Sequence, residues 1–145
     1  MFTKKGHTLK FMVLTTEAKY IKYVSPIYHG TKHDYAIFKK EFPAQRQDWL
    51  APFPFHVDLG YLGIQKDYPN LKVNIPHKKP KKKELSPEQK IENKGYSSIR
   101  VKVEHAIGGM KRYRFLSDRL RCRDKRLYSK IVGIAAGLWN FNLTH

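Results

Sequence analysis

An α/β chain with a helical C-terminal half is the fold class predicted here, on three observations. Aromatic and β-branched runs of strand length fill the first part of the chain, a Ser-Pro helix start follows a basic stretch, and beyond it apolar residues keep helical spacing.

The first elements are strands. HTLKFMVLT over residues 7–15 and YIKYVS from Tyr20 flank the polar break Thr16-Glu17-Ala18-Lys19 and read as an antiparallel hairpin. After Pro26 and Gly30, Asp34 opens a helix through Tyr35, Ile37, Phe38 and Phe42 that Pro43 ends. PFPFHV over residues 52–57 is a short apolar strand whose prolines suit its entrance, and it runs into Asp58-Leu59-Gly60-Tyr61-Leu62-Gly63. Residues 76–86 form a flexible basic loop. Ser86 then caps a long helix with Pro87 at its first position, beginning a helical part over about residues 86–143. Ile99, Val103, Ala106, Ile107 and Met110 keep helical spacing; Gly108 and Gly109 mark close packing or a helix end. Asp124 caps a terminal helix bearing a broad apolar stripe of Leu127, Ile131, Ile134, Leu138 and Phe141.

At 145 residues the chain is the size of one domain, with 41% hydrophobic residues to build a core. Its 29 Lys and Arg outnumber 12 Asp and Glu, a net charge of +17, which points to a polyanionic partner and away from an acidic small-molecule enzyme. The one cysteine, Cys122, excludes an internal disulfide and Cys-based zinc fingers. No apolar run has membrane-spanning length and the N-terminus has no signal-peptide core, so a cytoplasmic, nucleoid-associated protein without membrane attachment is expected.

Two groups of residues could carry chemistry. From Arg100 to Arg126 ten Lys or Arg face three acids, interleaved with Tyr113, Phe115 and Tyr128. Such a stripe binds phosphates in a salt-dependent, largely sequence-independent way. The candidate nucleic-acid contacts are Lys78, Lys79, Arg100, Lys111, Arg112, Arg114, Arg119, Arg121 and Arg123. Asp58, at a strand end, and Glu104, among core-type residues, stand out among the few acids. A carboxylate so placed in a basic chain pairs with an Arg, here Arg100 at i−4 of Glu104, or holds a cation. His29, His33 and Asp34 make a weak metal motif, because their segment contains Gly30 just after Pro26 and the two imidazoles need not share a helix face.

The segments KKGHTLK (4–10), VSPIYHGTKHD (24–34), VDLGYLGIQKDYPN (57–70), PHKKPKKKEL (76–85) and SSIRVKVEHAIGGMKRYRFLSDRLR (97–121) resemble the DDE superfamily endonucleases of insertion-sequence and Harbinger-like transposases. The resemblance implies an RNase H-like fold, a mixed sheet flanked by helices, over residues 1–145. It implies that Asp58 is the second catalytic Asp and Glu104 the catalytic Glu, both binding Mg²⁺ or Mn²⁺; Asp34 matches a recurrent acid near the site. The implied partner is DNA, as transposon ends and target, with a homo-oligomer as the working form. The first catalytic Asp of the family lies on a strand upstream of KKGHTLK. A truncated fold is therefore expected, with its first strand missing, inactive alone and completed by an upstream transposase fragment. The alternative reading is a non-catalytic basic DNA-binding protein or transposon remnant.

Overall fold

The computed structural model describes residues 9–46, 50–81, 84–117 and 124–145. Its elements run β1 (Leu9–Lys10), β2 (Val13–Thr15), β3 (Ile21–Val24), β4 (Tyr28–His29), α1 (Asp34–Glu41), β5 (Pro54–His56), α2 (Ile64–Asp67), β6 (Lys72–Asn74), α3 (Pro87–Met110), α4 (Arg114–Ser117) and α5 (Lys125–Thr144). Two compact units divide the chain: residues 1–33 with 103–145, and residues 34–102. The boundary falls inside α3, after Lys102.

In the unit formed by both chain ends, β2 and β3 make the expected antiparallel hairpin, while β1 pairs with β4. Ser25 is polar and buried in this core, and it is satisfied: its hydroxyl accepts from Met12 N at 2.8 Å and donates to Pro26 O. Ile21, Ile27, Ala106, Met110, Tyr128, Val132, Ala135 and Ala136 form the core cluster. Two polar side chains of α5 fasten the hairpin to it. Asn140 both accepts from Ile21 N and donates to Ile21 O at 2.8 Å, standing in for a strand partner, and Trp139 donates to Lys19 O. Gly109 is where α3 and α5 come together: a Cβ there would lie 2.0 Å from the Trp139 ring. Gly109 thus meets both expectations, close packing and a helix ending one residue later at Met110, while Gly108 has open space around it.

The cap of α5 is also as expected, Asp124 accepting from Arg126 N at 2.8 Å and Leu127 N at 3.3 Å. The apolar stripe is placed differently from an ordinary core-facing stripe. Tyr128, Val132, Ala135 and Ala136 face the core, whereas Leu127, Ile134, Leu138 and Phe141 are exposed. Trp139 also turns inward, its ring filling the space that Gly109 leaves, so side-chain size alone does not decide which side of α5 faces the core.

In the unit of residues 34–102, α1 buries Ile37 and Phe38. Phe38 meets Phe42 at 5.3 Å, Tyr68 at 5.4 Å and Tyr61 at 6.0 Å between ring centroids, and Tyr68 donates its hydroxyl to Phe42 O at 2.6 Å. β5 runs parallel to β6, Phe55 opposite Val73. β6 is not anticipated in the sequence, since KVN carries a single β-branched residue. Parallel neighbours need a crossover, and residues 57–71 supply it. The expected mixed sheet is thus replaced, among the described residues, by three two-stranded sheets, two antiparallel and one parallel.

The start of α3 is a reciprocal capping box: Ser86 Oγ accepts from Gln89 N, and Gln89 Oε1 accepts from Ser86 N. No helix of the described residues is long and apolar enough to cross a membrane.

Candidate active site

Asp58 sits where the β5–β6 crossover begins, just past the carboxyl end of a parallel strand. Its backbone is extended, and its Oδ1 accepts from Gly60 N at 2.7 Å, capping the short 3₁₀ turn Leu59–Tyr61. Both glycines of the DLGYLG motif have a geometric reason. A Cβ on Gly60 would stand 2.9 Å from Asp58 Oδ1, and Gly63 has φ +97°, a left-handed conformation that side chains disfavour. The motif therefore presents Asp58 at the surface in one defined orientation. The carboxylate is exposed.

Tyr61, three residues on, was not singled out by the sequence, although a 3₁₀ turn with three residues per turn stacks positions 58 and 61. Its ring lies 6.0 Å from both Tyr35 and Phe38 of α1. Its phenol is pushed up to about 12, first by burial, then by the negative charges of Asp34 and Asp58. The two acids, 24 positions apart in sequence, thus act on one hydroxyl. The aromatic packing of α1 against the turn brings this about, because Asp34 is the first residue of α1. A second acid on this surface is already engaged. Asp67 receives Lys39 Nζ at 2.6 Å and the Tyr35 hydroxyl, which together hold its carboxyl below the usual carboxylate range.

Glu104 lies in the last third of α3, exposed, and belongs to the other unit. Arg100 is likewise exposed on α3. Among the described residues no group of three or more His, Cys, Asp or Glu side chains is placed to hold a metal ion, the HxxxHD set included. His29 instead accepts from Lys125 Nζ at 2.7 Å. Exposed carboxylates are the right donors for a hard cation such as Mg²⁺, but their number falls short of a complete site.

The basic candidates divide between the units. Lys78 and Lys79 are exposed on the irregular segment before α3. Its start is tied to α3: His77 N donates to Asn93 Oδ1, Asn93 Nδ2 returns the bond to His77 O, and the His77 ring meets Glu92 at 2.6 Å. Further on, Glu84 is held below its usual range by Lys90 and then Lys79. Lys111, Arg112 and Arg114 are exposed around the turn from α3 to α4. Arg119, Arg121 and Arg123 lie outside the described residues.

The chain belongs to the DDE superfamily endonucleases, whose family model matches residues 1–140. It is 32% identical over 114 residues to a probable transposase for insertion sequence element IS702 from Microchaete diplosiphon, a match covering 79% of this chain. The match spans 39% of that relative's length. No solved structure matches the chain.

Proposed function

We propose that the chain is the C-terminal part of a DDE transposase catalytic domain with a truncated RNase H-like fold, cleaving and joining DNA strands with divalent metal. The observation that carries the reading is the DLGYLG turn, inside a family match covering nearly the whole chain. In this reading Asp58 and Glu104 supply metal-binding carboxylates. Bound Mg²⁺ or Mn²⁺ supplies the charge that lets a water or 3′-hydroxyl oxygen displace a phosphodiester oxygen. The chain's own part is to position and to neutralise. The Asp58 turn fixes one carboxylate, while Lys78, Lys79, Arg100, Lys111, Arg112 and Arg114, with Arg119, Arg121 and Arg123, hold transposon ends and target DNA against a surface whose acids would repel them. The work takes place in the cytoplasm, at the nucleoid.

The resemblance assigns the third acid to a segment upstream of KKGHTLK, so cleavage requires that segment, in the same polypeptide or from a partner. Nicking of a labelled DNA duplex in Mn²⁺ tests this. The chain of 145 residues alone gives no product; with an upstream transposase segment added it nicks, and Asp58→Asn or Glu104→Gln each abolishes nicking. Robust nicking by the chain alone, still dependent on Asp58, refutes the need for an upstream acid.

A second reading is non-catalytic DNA binding, which the net charge of +17 supports by itself. It expects Asp58→Asn and Glu104→Gln to leave DNA affinity in Mg²⁺ unchanged, with no nicking under any supplement.

A further inference from the structure

Asn is a poor residue for a helix interior, yet Asn93 stands inside α3, two turns from its start and partly buried. Its side chain serves another segment. Oδ1 accepts from His77 N at 2.8 Å and Nδ2 donates to His77 O at 3.1 Å, so one amide meets both polar groups of a backbone residue. A neighbouring strand would pair with it in the same way, and Asn140 of α5 does so for Ile21. His77 belongs to no helix or strand, and the amide supplies what regular structure does not.

Three further contacts tie the same stretch to the first turns of α3. The His77 ring meets Glu92 at 2.6 Å, Glu84 binds Lys90 at 2.8 Å, and Ser86 exchanges hydrogen bonds with Gln89. Gln89 and Lys90 precede Asn93 by four and three residues and so share its face of the helix. Between these anchors Lys78, Lys79 and Lys81 are exposed, and Lys79 reaches Glu84 at 3.3 Å.

We propose that Asn93 is a positioning residue for nucleic acid. By fixing the backbone of His77 it holds Lys78, Lys79 and Lys81 as a preformed contact for the phosphate backbone of duplex DNA. This rests on the DNA-binding reading of Lys78 and Lys79, and it adds a residue that does not itself touch DNA.

The cause is conformational entropy. A free run of lysines loses backbone and side-chain freedom when it settles on phosphates, and that loss is subtracted from the affinity. A run whose root is already fixed has lost part of that freedom on folding. Asn93 is neutral, so replacing it leaves the count of phosphate-neutralising charges as it was. Solvent-exposed ion pairs such as Glu84 with Lys90 hold weakly, which leaves the amide as the main anchor.

Fluorescence anisotropy of a labelled DNA duplex with the 145-residue chain, at fixed NaCl and without divalent metal, tests this. Asn93→Ala should weaken binding about 2–10-fold, the cost of ordering a side chain that was ordered before. Ala favours a helix more than Asn does, so the far-UV circular dichroism should keep its helical signal. Trypsin should cut the Asn93→Ala chain after Lys78 or Lys81 faster than the unaltered chain. A double-mutant cycle separates positioning from folding. In a Lys78→Ala, Lys79→Ala, Lys81→Ala background, Asn93→Ala should lower affinity no further, whereas a role confined to folding lowers it in both backgrounds. Unchanged trypsin cleavage, affinity that falls with the three lysines but not with Asn93→Ala, or an equal effect of Asn93→Ala in both backgrounds would each overturn the proposal and leave the DNA-binding reading standing. Affinity indifferent to the three lysines would overturn the proposal together with the assignment of Lys78 and Lys79 as DNA contacts.

Discussion

The aromatic packing around Asp58 and the helix packing around Met110 solve the same problem with opposite materials. In residues 34–102, Phe38 gathers Phe42, Tyr61 and Tyr68 about itself, and these large rings reach far enough to hold a turn and a helix start together. In the unit of the two chain ends, Gly109 leaves the room that the Trp139 ring fills, and Ala106, Ala135 and Ala136 are buried with Met110, Tyr128 and Val132, while Leu127, Ile134, Leu138 and Phe141 lie exposed on the outside of α5. The first arrangement fixes the position of acids. The second leaves an apolar face in solvent.

This comparison breaks most sharply at Phe38. Phe38→Ala should cost about 3–5 kcal/mol, and hydrogen exchange should show protection lost over residues 34–102 while α5 amides keep theirs. Equal loss in both units would mean that the two cores are one cooperative body.

A smaller effect is expected for the opposite change. Gly109→Ala places a methyl against the Trp139 ring, and overpacking of this kind costs about 1–3 kcal/mol. Urea denaturation measures it; Gly108→Ala, with open space around its Cβ, should cost nothing and, in a helix, should stabilise slightly.

Asp124→Ala removes the cap of α5 and should lower stability by about 1 kcal/mol. An effect within error would mean that packing alone holds the first turn of the helix.

The smallest effect sharpens the site. Tyr61 ionises near 12 instead of near 10, so its contribution to stability is present below pH 10 and is lost as pH rises through 12. Ultraviolet titration of the phenolate, with Tyr61→Phe to identify the signal, should show this late ionisation. Asp34→Asn and Asp58→Asn should each bring it down, Asp34→Asn by more. If neither substitution moves it, the acids do not face the phenol.

Much of the fold is legible where the cause is local. Ser86 and Asp124 cap helices because a side-chain oxygen reaches backbone N–H groups two or three residues away, and Asp34 begins a helix that Pro43 cannot continue. The candidate acid Asp58 was legible for the same reason, its turn being built by its own neighbours Gly60 and Gly63. Tyr61 was passed over, since its meaning comes from α1, and β6 was missed because KVN gains strand character only from its parallel partner.

Charge, caps, turn glycines and the DDE resemblance were settled by the sequence, because each depends on residue identity within a few positions. Three things were decided only in the tertiary structure. The convergence of Asp34 and Asp58 on Tyr61 depends on ring packing across more than twenty residues. The parallel pairing of β5 with β6 depends on a crossover. Which apolar side of α5 turns inward was decided by fit, since Gly109 of α3 leaves room for the Trp139 ring and Ala106 is buried with Tyr128, Val132, Ala135 and Ala136.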